Sequence, residues 1–271
     1  MTSSDKEFTG SIPEFYDTYL VPLIFSSYAE DLVSRVVDLD PASVLEIAAG
    51  SGVVPRALAP KLANSVQYVA TDLNQPMLDH AERNHPAAYP IEWRQADALK
   101  LPFEDNSFDA AICQFGVMFF PDHVAGYREA YRVLKPGGTF IFSVWDHIRE
   151  NEFAALATEA AGRIFTEDPP LFLARTPHGN HDAEKIRAEL LQSGFNDVSV
   201  DIRADVSRAP SARHPAIAYC QGTPLRNEIE TRNAEQLQAV TDQAEDLIAE
   251  KCGGGEVEGK IQALVFEATK A

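Results

Sequence analysis

From residue 43 onward, short β-branched runs alternate with stretches that carry apolar residues at helical spacing. That alternation narrows the fold more than any other feature of the chain. Strands separated by helices make βαβ units, and such units build parallel sheets. The runs place strands near Ser43–Ala48, Val66–Thr71, Ile91–Gln95, Phe108–Cys113, Thr139–Trp145, Val198–Arg203 and Ala263–Thr269. The expected architecture is α/β, a doubly wound, mostly parallel seven-stranded sheet with helical insertions.

Val124, Tyr127, Tyr131 and Leu134 share one face of a helix expected to stop at Lys135-Pro136-Gly137-Gly138, where proline cannot continue it. Two stretches depart from plain alternation. Residues 151–182 combine a helical pattern with Glu167-Asp168-Pro169-Pro170; in 204–258, Leu237, Val240, Ala244, Leu247 and Ile248 line one face before Gly253-Gly254-Gly255. The 271 residues are read as one domain. Within it, 1–40 is an N-terminal helical lid segment, 41–150 the cofactor-binding core, and the two insertions lie near the substrate side.

The charge balance restricts partners. A formal net charge of −18 with scattered lysines and arginines does not suit a nucleic-acid backbone, and the same field repels anionic lipid headgroups. It suits a cationic ligand. No run approaches the ~20 apolar residues of a membrane-spanning helix, so no membrane insertion is expected. The opening MTSSDKEFTG has no basic, then apolar, leader pattern. Cys113, Cys220 and Cys252 match no metal-ligand spacing and are odd in number, so no metal and a reducing, cytoplasmic setting are expected.

The first strand, Val44-Leu45-Glu46-Ile47-Ala48, runs into Ala49-Gly50-Ser51-Gly52 and a helix with Pro55 in its first turn. Small residues there let backbone amides approach a ligand, as nucleotide-type sites at the carboxyl end of a sheet require. Asp72 closes the second strand, where a carboxylate can chelate ribose hydroxyls, and Asp97 follows the third, where it can accept from an adenine amino group. Those two acids alone would suit a dinucleotide as well. Glu46 shifts the balance, because a pyrophosphate would face an uncompensated carboxylate whereas an ammonium and a sulfonium would be stabilised. Proline also stands where G-x-G-x-x-G needs its third glycine.

These segments resemble the class I S-adenosylmethionine-dependent methyltransferases. Val44–Gly52 resembles the family's first motif, and Thr71-Asp72-Leu73-Asn74-Gln75-Pro76-Met77-Leu78 its second-strand segment. Gln95-Ala96-Asp97-Ala98, Leu101-Pro102-Phe103, Ser107-Phe108-Asp109 and Arg132–Gly138 follow in the family's order. The branch most similar is the small-molecule "type 11" group that includes quinone-biosynthesis enzymes. The resemblance implies S-adenosylmethionine as cofactor and S-adenosylhomocysteine as product. It implies that Glu46 orients the methionine amino end, with Gly50 and Gly52 giving backbone room. Asp72 would bind the ribose, Leu73 and Met77 pack near the adenine, and Asp97 and Ala98 read its edge. Gln114 would sit near the methionine moiety. One departure stands out: Ala48 replaces the family's usual first glycine of the loop.

Tyr16 and Tyr19, before the first strand, are candidates to cover the methyl donor or to anchor a helix. His147, just past the fifth strand, is the candidate general base, with His178 and His181 in the following insertion. Phe115, Phe119, Phe120 and Trp145 point to an apolar or aromatic small-molecule acceptor, while Phe119 and Phe120 fit the core at least as well. The fourth strand lacks the Asn/Asp-Pro-Pro-aromatic run of enzymes that methylate planar amino groups. A homodimer is compatible with the helical insertions. Two alternatives stay open: a non-catalytic adenosyl-ligand-binding or regulatory protein, and an NAD-dependent oxidoreductase.

Overall fold

The computed structural model describes residues 15–271. The seven strands are β1 (Ser43–Ile47), β2 (Gln67–Asp72), β3 (Glu92–Gln95), β4 (Phe108–Gln114), β5 (Leu134–Trp145), β6 (Asp197–Ala209) and β7 (Val257–Thr269). They form one sheet in the order β3-β2-β1-β4-β5-β7-β6. The pairs β1–β2, β1–β4, β2–β3 and β4–β5 are parallel, and one antiparallel hairpin makes the whole mostly parallel. Reversal of the strand order between β1 and β4 creates the crevice at which ligands of open α/β sheets bind.

The chain divides into two compact units. The sheet unit comprises Ser27–Val144, Asp182–Ile202 and Leu264–Ala271. Its central strands are buried on both faces, as their near-continuous apolar runs predict. On one face Val44, Ala110, Ile112 and Ile141 meet Ala29, Leu32, Val33 and Val36 of helix Ser26–Asp38, together with Val54 and Leu58. On the other, Phe140 and Phe142 pack against Tyr127 and each other, and Phe142 stacks on Phe266 at 5.0 Å. Alternation along β5 sends Ile141 and its two phenylalanine neighbours to opposite sides.

The helical unit comprises residues 15–26, Trp145–His181 and Arg203–Ala263. Helix Leu237–Cys252 packs against helices Glu152–Ile164 and Arg213–Gln221. It buries Val240, Ala244, Leu247 and Ile248, the stripe expected from spacing, while Leu237 is only half-buried. Ala154, Ala157, Ala160 and Ala161 on Glu152–Ile164 are buried and small, which permits close helix approach.

Three boundaries differ from the expectation. The helix carrying Tyr127 ends at Val133, and Leu134 is already extended, paired with Phe108. The Lys135–Gly138 turn is therefore absorbed as an irregularity in β5, with the register resuming at Ala110–Thr139. Strands β6 and β7 run on past the expected ends, so 204–209 and 257–258 are strand rather than helical insertion. The division between the two units falls between Ser26 and Ser27, where the segment Tyr16–Phe25 meets helix Ser26–Asp38.

Candidate cofactor site

The site is built at the carboxyl ends of β1, β2 and β4 within the sheet unit. Glu46 pairs with Ala70 and Ile112 and shares the sheet face of Val44 and Tyr68 by strand parity. It is 2% exposed, and the Tyr68 hydroxyl donates to its carboxyl. Burial pushes the Glu46 carboxyl up to about 8, with Asp72 adding repulsion and the Tyr68 bond opposing the rise. An acid held in this way ionises readily only when a cation arrives.

The loop after β1 is left-handed at alternate positions: Ala48 has φ 58°, Gly50 56° and Gly52 82°. A side chain at Gly52 would meet Ala81 Cβ at 2.9 Å, so closeness as well as φ requires glycine there. Ala48 adopts its strained conformation without that freedom, at roughly 1 kcal/mol. Its methyl would stand 2.5 Å from any Cβ on Gly116, just beyond β4.

Asp72 ties the loop to the next strand. One oxygen accepts from Gly50 N at 2.9 Å; the other accepts from Asn74 N at 2.8 Å and Asn74 Nδ2 at 3.3 Å. Burial raises its pKa, against these stabilising bonds. Met77 is buried with its Cε 3.8 Å from where a Cβ on Gly50 would lie, so it supports the loop from beneath. Leu73 is 45% exposed, and Gln95 Nε2 donates to its carbonyl at 2.8 Å. Asp97 is exposed and closes its own turn by accepting from Leu99 N at 2.9 Å; Ala98 stands half-buried inside that turn. Gln114 ends β4 opposite Ser143, half-buried, on the Glu46 face by parity.

Glu46, Ala48, Gly50, Gly52, Asp72 and Met77 thus form one connected cluster, with Leu73, Asp97, Ala98 and Gln114 at neighbouring strand ends. Tyr16 and Tyr19 lie in the helical unit, on the π-helical segment Tyr16–Phe25. There Tyr16 stacks on Phe25 at 5.2 Å, and Tyr19 meets the His214 ring edge-on at 5.0 Å. His147 caps the short turn Ile148–Glu150, its Nδ1 accepting from Arg149 N at 3.1 Å. A neutral imidazole bonded in this way carries its hydrogen on Nε2 and presents a donor there, not a base. Sequence reasoning missed Tyr68, Asn74 and Gly116, whose parts depend on which strands lie side by side.

The donor set fits a cationic adenosyl ligand. Two buried carboxyls with raised pKa values flank a backbone-lined loop, an arrangement that attracts an ammonium and opposes a pyrophosphate. Comparison with known proteins agrees. A family described as "Methyltransferase domain" matches residues 45–142. The ubiquinone/menaquinone biosynthesis C-methyltransferase of Rickettsia felis is 34% identical over 63% of this chain and 75% of its own length. The chain belongs to the class I S-adenosylmethionine-dependent methyltransferases.

Several of its relatives are ubiquinone/menaquinone biosynthesis C-methyltransferases. The corresponding Rickettsia prowazekii enzyme is 32% identical over 45% of this chain, and the match spans about half, 52%, of that protein. An S-adenosylmethionine-dependent methyltransferase from Thermotoga maritima shares the fold, with a TM-score of 0.55 and 16% identity over 96% of this chain and 98% of its own. Among the described residues, no helix is long and apolar enough to cross a membrane.

Proposed function

We propose that this chain methylates a small apolar or aromatic molecule of quinone-like kind, using S-adenosylmethionine and releasing S-adenosylhomocysteine. The observation that carries this reading is the buried Glu46–Asp72 pair framing the left-handed loop. When bound, the cofactor supplies an electrophilic methyl group on a positive sulfur. Glu46 takes the methionine ammonium and Asp72 the ribose hydroxyls, while Asp72 also holds Gly50 in place. Leu73 and Met77 border the adenine, Asp97 and Ala98 read its edge, and Gln114 borders the methionine chain. The sulfonium charge disappears during transfer, so exclusion of water from the donor favours reaction. Positioning supplies much of the rate.

The chain acts in the cytoplasm on a free small molecule, without nucleic acid or membrane insertion. Two copies associate through β6, the edge strand, where Ile202 is 69% exposed. Antiparallel pairing centred on Ile202 sets Asp201 opposite Arg203 twice and Val198 opposite Val206.

The test is incubation with methyl-labelled S-adenosylmethionine and a panel of benzoquinols, naphthoquinols and amines, read by mass spectrometry. A gain of one methyl on a quinol supports the proposal. Cofactor binding without turnover on any acceptor would instead indicate a non-catalytic adenosyl-ligand protein, and NAD binding an oxidoreductase.

A further inference from the structure

Helix Phe172–Arg175 of the helical unit is followed by a tight turn that carries His178, Asn180 and His181. His178 N donates to Leu173 O at 3.0 Å, and Gly179 N to Thr176 O at 3.3 Å. His181 Nδ1 lies 2.8 Å from His178 O, and His178 Nδ1 lies 2.9 Å from Asp146 O. A carbonyl only accepts, so both rings carry their hydrogen on Nδ1 and, when neutral, a lone pair on Nε2. His147 has the opposite tautomer, and its ring stands edge-on to His181 with centroids 4.6 Å apart. The Asp146 carboxylate is already engaged by His147 N and Gln262 Nε2. Burial holds His178 down at about 4, so it stays neutral and serves to hold the turn.

Asn180, inside this turn, is 6% exposed, and its Nδ2 has no hydrogen-bond partner among the described residues. A buried donor left unsatisfied keeps its full desolvation penalty, which a fold does not retain without return. We infer that Asn180 and His181 form the polar end of a methyl-acceptor subsite in the helical unit. The group it takes is a hydroxyl beside a second oxygen. Asn180 Nδ2 donates to the second oxygen, and His181 Nε2 accepts from the hydroxyl. On activation the hydroxyl proton passes to His181 Nε2 and the electron pair stays on the acceptor oxygen. His147 and His178 are positioning residues for that ring. The inference rests on the methyltransferase reading above.

Catechol is the probe, titrated into the protein with and without S-adenosylhomocysteine and followed through histidine ¹⁵N resonances. Asn180→Leu removes the amide. His181→Asn keeps a donor for His178 O and removes the acceptor nitrogen. The expected result is the Nδ1–H tautomer at His178 and His181, with catechol shifting His181 Nε2. Both variants should bind catechol at least tenfold more weakly, retain S-adenosylhomocysteine affinity, and show Tm unchanged or, for Asn180→Leu, raised. Catechol affinity unchanged in Asn180→Leu would overturn the subsite. So would an Nε2–H tautomer at His181, or catechol that leaves His181 unmoved. Failure to bind S-adenosylhomocysteine refutes the methyltransferase reading separately, because the catechol titration is also read without it.

Discussion

The methyl group of Ala48 and the bare α-carbon of Gly116 fill one space: a Cβ on Gly116 would lie 2.5 Å from that methyl and 2.7 Å from Cys113 Sγ. The family's glycine has become alanine in the loop, and the residue facing it is glycine. Gly116→Ala should therefore destabilise the protein by about 1–3 kcal/mol through overpacking. Ala48→Gly should relieve a left-handed alanine and leave stability within about 1 kcal/mol of the parent. Urea denaturation of the two variants checks both signs.

Asp72 is both a proposed ligand group and a structural tie. Asp72→Asn presents an amide hydrogen to at least one of the amides of Gly50 and Asn74 that the carboxylate now accepts from. The expected outcome is a loss of about 1–3 kcal/mol in stability and a larger proportional loss in S-adenosylhomocysteine affinity. Thermal scans with and without that ligand separate the two, since the ligand-induced rise in Tm should shrink beyond the change in the free protein.

Stability should also respond to pH through Glu46. Its value in the fold, about 8, lies above the ordinary 4.5, so the folded state holds the proton more tightly than the unfolded chain. The stabilisation is fully present below 4.5 and is lost as pH rises through 8. Asp72 is shifted in the same direction and adds to the trend. Glu46→Gln has no proton to lose, so its Tm advantage over the parent should grow between pH 5 and 9. A constant difference across that range would contradict the buried, protonated carboxyl.

Much of this was legible in the chain. The βα alternation, the order of the acidic positions and the small-residue loop follow from local patterns that each strand displays by itself. The β5 boundary was not, because Leu134 fits a helical face by spacing and only its pairing with Phe108 makes it strand. Tyr68 gave no signal for the same reason. A tyrosine two residues before the β2 position that pairs with Glu46 matters only once the β1–β2 register is known. Asn180 lies in a region without periodicity, and its significance is its burial.

At the sheet edge, Ile202→Lys should convert a dimer to a monomer, read by light scattering after size exclusion. The substitution places like charges opposite each other at the centre of the proposed β6 pairing. A parent protein that is monomeric at all concentrations would remove that assembly.

On binding, a buried, largely protonated Glu46 receives a cationic methionine ammonium. Calorimetric titration of S-adenosylhomocysteine at pH 7, in phosphate and in Tris, tests it most directly, because Glu46 must lose its proton on binding. Micromolar binding is expected, with heats that differ between buffers by the equivalent of close to one released proton, and both signals should be lost in Glu46→Gln. Identical heats in the two buffers, or an unchanged affinity in Glu46→Gln, would contradict it.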